Sequence, residues 1–176
     1  MKTYYFDQIG DFSKLCERPS QDFASMFSYV QPILDEVCKN GDEALKKFTE
    51  KFDGFVIDDL EVKVGANVSK RLSSAFRKAA KNIAKFHKAQ IEKSSEIETM
   101  PGVKCFRESR AIEKVGLYIP GGSAALSSTV LMLAIPAKIA GCEEIILCSP
   151  PPISDEILYA ASLTGVTRVF QVGGAQ

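Results

Sequence analysis

Two adjacent glycines, Gly121 and Gly122, are the residues in this sequence best suited to ligand binding. They follow a short apolar run at residues 115–119 and precede a long apolar segment that ends at Gly141. This order predicts a strand, a tight turn and a helix, in which glycines let the backbone approach a ligand and the helix N-terminus offers unpaired N–H groups. The stretch suits an anionic or nucleotide ligand. It matches neither GxGxxG nor GxxxxGK[ST], so on the pattern alone an ordinary strand-to-helix turn is the simpler interpretation.

Residues for metal or acid–base chemistry are scarce. The one histidine, His87, lies beside Phe86 in a basic helical segment and has no Cys, Asp or Glu partners at ligand spacing. The five cysteines are odd in number and show no CxxC spacing, which indicates reduced thiols rather than disulfides or a zinc site. We therefore predict a structural or surface role for His87 and structural roles for the cysteines.

The charge balance excludes several classes of partner. Lys and Arg together number 22, as do Asp and Glu, so net charge favours neither a nucleic acid nor an anionic membrane. The basic helical segment between Ser69 and Lys93 could be taken for a nucleic-acid footprint, but no aromatic residues interleave its exposed cations, so a solvated face is predicted. No stretch is long enough to span a bilayer and the amino terminus lacks a signal sequence, so a cytoplasmic location is expected.

The second part of the chain alternates strands and helices. The pattern predicts strand 115–119, helix 128–140, strand 144–148, helix 154–163 and strand 167–172, with Gly141 and Gly165 ending the helices. This is a βαβαβ unit, and right-handed crossovers place the carboxyl ends of its strands along one edge, where a ligand is expected. Residues 102–176 are thus predicted to form a partial Rossmann-like, parallel-sheet unit of an α/β fold, incomplete at its C-terminus.

Residues 1–101 are predicted to form a helical amino-terminal region with a short strand. One helix is expected to stop at Asn40-Gly41, and the next, beginning at Asp42, is closed by Asp53-Gly54. Alternation at residues 60–64 predicts the strand. Residues 92–99 look polar and turn-like, and 100–102 mark a boundary. The strand-like segments 103–106 and 112–119 that follow either pair as a hairpin or are an entry strand followed by the first strand of the new unit.

Several motifs in fixed order carry a resemblance to a known family. The segments VGLYIPGG, STVLMLAIPAKIAG, EEIILCSPP and VGGAQ resemble the nucleotide-binding part of histidinol dehydrogenase, and ILDEVCKNGDEALKKFTEKFDG and AFRKAAKNIAKFHKAQ extend the similarity to nearly the whole chain. Ala125 departs from the proline that the family commonly has there, which affects only the shape of that turn.

The resemblance implies a chemistry. Histidinol dehydrogenases oxidise L-histidinol to L-histidine in two successive NAD-dependent steps, through an aldehyde, on a zinc site in a homodimer. By motif position the resemblance implies that Tyr118 and Gln176 contact NAD, while Gly121 and Gly122 permit close backbone approach. The zinc ligands and the Glu–His acid–base pair of the family lie beyond the position that matches Gln176. We therefore expect this chain alone neither to bind zinc tightly nor to turn over histidinol.

Two further expectations concern partners. A bare sheet edge is expected to promote dimerisation or strand exchange. The alternative to an enzyme part is a non-catalytic nucleotide-binding or interaction module that pairs with a separate chain.

Overall fold

The computed structural model describes residues 5, 10, 13–17, 23–92, 94–121 and 126–175. Within these residues the helices and strands fall in the following order, with a π-helical turn at Thr49–Asp53 directly after α2: α1 (Ser13–Cys16), α2 (Phe23–Phe48), β1 (Glu61–Val62), α3 (Lys70–Lys88), β2 (Glu96–Met100), β3 (Val103–Phe106), β4 (Lys114–Tyr118), α4 (Ser127–Ala140), β5 (Glu144–Ser149), α5 (Asp155–Thr164) and β6 (Arg168–Gln171). The described residues form a four-stranded sheet in the order β1-β6-β5-β4 and a separate two-stranded sheet of β2 and β3. The fold is mixed α/β, as predicted.

The predicted βαβαβ unit is confirmed. Strands β4, β5 and β6 are parallel neighbours, with Val115 opposite Ile145 and Leu147 opposite Val169. Both helices of the unit end at glycines in the left-handed conformation, Gly141 and Gly165, which satisfy the last helical carbonyls. The unit therefore brings the carboxyl ends of three strands to one edge.

The helix starts were predicted less well. Ser154 caps α5, and its hydroxyl accepts a hydrogen bond from the amide of Ile157. Helix α4 begins at Ser127, one residue before the predicted start, and the capping position is occupied by Leu126 without a side-chain cap bond. No helix in the described part of the chain is both long and apolar enough to cross a membrane.

The core lies between the sheet and the helices α3, α4 and α5, which pack against one another. Its centre is formed by β-branched and leucine side chains that are almost fully removed from water: Ile119, Val130, Leu131, Ile145, Leu147 and Val169. Helix α3 joins this core through Phe76, whose ring lies against Tyr159 of α5 at 5.7 Å between centroids. The amino-terminal region thus contributes to the core that supports the edge.

The first long helix is interrupted where the sequence predicts a stop. Gly41 has non-helical backbone angles inside α2, with φ of 52°, so the chain kinks there. The π-helical turn then ends at Gly54, a left-handed cap with φ of 75° whose amide donates to the Glu50 carbonyl. Asp53 is consequently the last residue of this helical segment.

The short predicted strand joins the sheet as β1, antiparallel to β6, with Glu61 opposite Phe170. The Arg168 guanidinium holds the Glu61 carboxylate through two hydrogen bonds, of 3.0 Å from Nε and 2.7 Å from Nη2. The amide of Gln171 donates to the Leu60 carbonyl at 2.8 Å and extends this pairing. Because β1 lies before residue 101 and β6 lies after it, the sheet contains strands from both predicted regions, 1–101 and 102–176. The division at residue 101 stays a prediction.

A hairpin replaces the turn-like segment and boundary predicted at residues 92–102. Strand β3 pairs antiparallel with β2, Ile97 lying opposite Cys105, and not with the strand that follows it. Gly102, with φ of 82°, occupies the connecting turn. All residues of β2 and β3 are exposed. Because neither face of β2 is buried, the strand lacks the alternation of buried and exposed residues by which a half-buried strand is predicted from sequence.

Candidate functional site

The carboxyl ends of β4, β5 and β6 lie side by side. Tyr118 is opposite Cys148, and Cys148 is opposite Phe170 in the next strand. The pairing continues past β4, because the Ile119 amide donates to the Cys148 carbonyl at 2.9 Å. We refer to Tyr118, Gly121, Pro150, Gly173 and Gly174, which lie at or just after these strand ends, as the carboxyl edge.

Pro150 fits between two glycines of the carboxyl edge. A Cβ atom on Gly121 would lie 3.0 Å from Pro150 Cγ, and one on Gly173 would lie 2.7 Å from Pro150 Cβ. The segments that follow all three strands therefore meet at one proline ring. A side chain on Gly173 would collide with this ring and one on Gly121 would contact it tightly, so glycine lets both backbone segments pack against Pro150.

The amino-terminal region reaches the same edge through Asp53. The amide of Gly174 donates to Asp53 Oδ2 at 2.9 Å. A Cβ atom on Gly173 would lie 2.5 Å from Asp53 Oδ2 and 2.7 Å from Oδ1. The carboxylate thus lies directly against the backbone that follows β6, although 121 positions separate the two residues of the hydrogen bond.

Tyr118 presents a partly exposed phenol at this edge, with 37% of its surface accessible. Partial burial raises the pKa of the phenol, and the negative charge of Asp53 and the nearby Cys148 raise it further. Burial also raises the pKa of the Cys148 thiol. At neutral pH Tyr118 is therefore a protonated hydrogen-bond donor and Cys148 a thiol rather than a thiolate nucleophile.

The predicted site residues are only partly covered by the described part of the chain. Tyr118 and Gly121 both lie at the carboxyl edge, as the βαβαβ pattern requires. Gly122 and Gln176 lie outside the described residues, so their predicted roles stay predictions. Asp53 was missed by sequence reasoning, which recognised it only as part of a helix stop; a contact over such a separation leaves no local pattern.

The histidine lies away from the carboxyl edge, in the last turn of α3. Its Nδ1 is 2.7 Å from Gln90 Oε1, and its ring meets the Phe86 ring edge-on at 5.4 Å between centroids. Among the described residues no group of three or more His, Cys, Asp or Glu side chains is placed to hold a metal ion. The five cysteines are all free.

Comparison with known proteins decides the family. The sequence model of the histidinol dehydrogenase family, described as "Histidinol dehydrogenase", matches residues 16–176. The chain belongs to the histidinol dehydrogenase family. The resemblance of the sequence motifs to this family is thereby confirmed.

Individual relatives agree with this assignment. The chain is 45% identical over its whole length to a histidinol dehydrogenase of Photobacterium profundum, covering 42% of that protein. It is 53% identical to one of Salmonella typhimurium, over 84% of this chain and 35% of the relative. A crystal structure of histidinol dehydrogenase from Elizabethkingia anophelis matches 94% of this chain with a TM-score of 0.86 and 42% identity, and 40% of that structure is covered. The chain thus spans roughly two fifths of the length of these histidinol dehydrogenases.

Proposed function

We propose that this chain is the amino-terminal part of an NAD- and zinc-dependent histidinol dehydrogenase, which oxidises L-histidinol to L-histidine in histidine biosynthesis, and that it carries part of the NAD site. One observation carries the proposal: three parallel strands end together at Pro150, with glycine backbone on both sides and the Tyr118 phenol beside them. Ligands of open α/β sheets bind beyond the carboxyl ends of the strands. The proposed location is the cytoplasm, which agrees with five unpaired cysteines.

The residues of the carboxyl edge fit a dinucleotide. The bound NAD supplies the hydride acceptor for oxidation of the alcohol and then of the aldehyde. Tyr118 offers a ring face for packing and a phenol O–H for donation, and Gly121 offers backbone without a side chain. We assign Gly122 and Gln176 to the same site from their motif positions.

The described residues do not fit the zinc site of the proposed enzyme, because they contain no suitable cluster of ligands. None of the described residues is therefore proposed as a metal ligand or as a catalytic residue. The proposal holds that the zinc ligands and the acid–base pair belong to polypeptide beyond Gln176. Supplied with NAD and L-histidinol, the chain alone is expected to form no NADH, and NADH formation would contradict this part of the proposal.

Calorimetric titration of NAD into the chain tests the cofactor site. Saturable binding is expected, and Tyr118→Ala should weaken it about tenfold, since aromatic packing and one hydrogen bond are lost. Tyr5→Ala, which truncates an exposed tyrosine near the amino terminus, is the matched control and should bind like the wild type. Absence of heat from NAD binding by the wild-type chain would overturn the proposal.

The alternative, a non-catalytic module that pairs with a separate chain, is favoured by one observation. Helix α2 exposes large apolar side chains, among them Phe23 at 61% and Phe27 at 72% of their surface. Exposed apolar faces of this kind mark interaction surfaces. Sequencing the same reading frame downstream of Gln176 distinguishes the two proposals. If that frame encodes the remaining histidinol dehydrogenase residues, the chain is part of the enzyme.

A further inference from the structure

The residues that precede Gly54 pack against the backbone that follows β6. Phe52 and Asp53 are the last two residues of the π-helical turn, a form that is uncommon and frequently found at functional sites. A Cβ atom on Gly174 would overlap the Phe52 side chain, and the Phe52 ring is itself stacked on Phe48 at 5.6 Å between centroids. The Gly173–Gly174 backbone is thus seated on a packed aromatic pair.

Asp53 adds a directional bond to this support. Its Oδ2 accepts the Gly174 amide proton at 2.9 Å, and both of its oxygens occupy the space where a side chain on Gly173 would lie. A hydrogen bond to an ionised carboxylate is roughly twice as strong as one between neutral groups. The bond therefore restrains the backbone just before Gln176 more firmly than a neutral partner would.

The charge of the same carboxylate also acts on Tyr118 at the end of β4. Its negative charge contributes to the raised pKa of the Tyr118 phenol. Asp53 thus links two separate parts of the edge, the end of β4 and the turn after β6, to the amino-terminal region.

We propose that Asp53 is a positioning residue for the NAD site: its carboxylate fixes the Gly173–Gly174 turn so that this backbone is presented to the cofactor. The inference rests on the proposed function, since it concerns the same site. It assigns the π-helical turn after α2, which is distant in sequence from the glycine motifs, to cofactor binding.

The test compares Asp53→Ala, Asp53→Asn and wild type in the complete 176-residue chain. Calorimetry measures the Kd for NAD, and NMR of the labelled protein measures hydrogen exchange at the Gly174 amide without NAD. Asp53→Ala should raise the Kd about tenfold, since a charge-assisted bond is lost, and Asp53→Asn about threefold, since a weaker acceptor remains. Exchange at Gly174 should quicken in the same order.

The control is Asp58→Asn, which removes the same charge at an exposed position and should leave both measurements unchanged. Ultraviolet titration of the phenols gives a second readout: in Asp53→Asn the pKa of Tyr118, identified by subtracting Tyr118→Phe spectra, should fall toward its ordinary value, because one of the charges that raise it is removed. If Asp53→Ala does not fold, Asp53→Asn decides alone.

The outcomes separate the two proposals. If the wild type binds NAD and Tyr118→Ala weakens binding, but the Asp53 variants match the wild type in Kd and in Gly174 exchange, the positioning role is wrong and the NAD site stands. If the wild-type chain itself shows no NAD binding, the proposed function fails and the positioning role fails with it.

Discussion

At the scale of single residues, the carboxyl edge depends on the absence of side chains. Gly121 and Gly173 lie on two sides of Pro150, and Gly173 also lies against the Asp53 carboxylate. Gly121 was singled out in the sequence together with Gly122, because adjacent glycines after a strand are a local signal. The partners that make glycine necessary come from other parts of the chain, so the sequence pattern could not identify them.

Gly173→Ala should lower the free energy of unfolding by about 1–3 kcal/mol, since the added methyl forces Pro150 or Asp53 to move. Urea unfolding measures the change. Gly116→Ala is the matched control: it adds the same methyl in β4, where no heavy atom of the described residues lies within 4 Å of the new Cβ, and should be as stable as the wild type or slightly more stable. Equal unfolding midpoints for the two variants would contradict the packing described at the carboxyl edge.

At the scale of elements, the helices and parallel strands of the βαβαβ unit follow from periodicity and helix-ending glycines, and their bounds differ from the predictions by one or two residues. What the sequence did not reveal is pairing between distant segments. Strand β1 has only Glu61 and Val62, and its partner β6 lies more than a hundred residues later. Strand β2 is polar and exposed, and the Pro101-Gly102 turn that joins it to β3 was interpreted as a boundary.

The ion pair between Glu61 and Arg168 gives a pH-dependent test of the β1–β6 pairing. The hydrogen bond from Arg168 lowers the pKa of the Glu61 carboxyl. A lowered pKa in the folded state means that the stabilisation is complete above the carboxyl's unfolded pKa, about 4.3, and is lost as pH falls through the folded pKa. Glu61→Gln should therefore quicken hydrogen exchange at the Gln171 amide at neutral pH.

Below the folded pKa of Glu61 the variant and the wild type should exchange alike, because the wild-type carboxyl is then also neutral. Glu96→Gln is the control, since Glu96 forms a comparable exposed pair with Lys104 at 2.7 Å in the separate hairpin. Glu96→Gln should not change hydrogen exchange at the Gln171 amide. A difference between Glu61→Gln and wild type that is the same at acidic and neutral pH would show that the ion pair does not hold β1 in place.

At the scale of the whole molecule, the described residues include many exposed large apolar side chains. Along α2 the exposed apolar side chains recur on one helical face: Phe23, Phe27, Val30 and Leu34. Strand β4 is the last strand in the order of the described sheet, with β5 as its one neighbour there. The chain also spans roughly two fifths of the length of the histidinol dehydrogenases that it matches.

The isolated chain is therefore expected to self-associate, in keeping with the homodimer that the resemblance of the sequence implies. Light scattering after size exclusion should give a mass of at least two chains, and Phe27→Glu should lower it by placing a charge on the apolar face. Ser28→Glu adds the same charge to the neighbouring, exposed position off that face and should leave the mass unchanged. A single-chain mass for the wild type at all concentrations would contradict the expectation.

The antiparallel placement of β1 beside β6 has a consequence for biosynthesis. A ribosome releases Glu61 long before Arg168, 107 positions later, so β1 must wait without its partner while the intervening segments are translated. Bringing together strands so far apart in sequence is entropically slow. The nascent β1 is thus unpaired during that interval, and it attains its final position only when translation has passed β6.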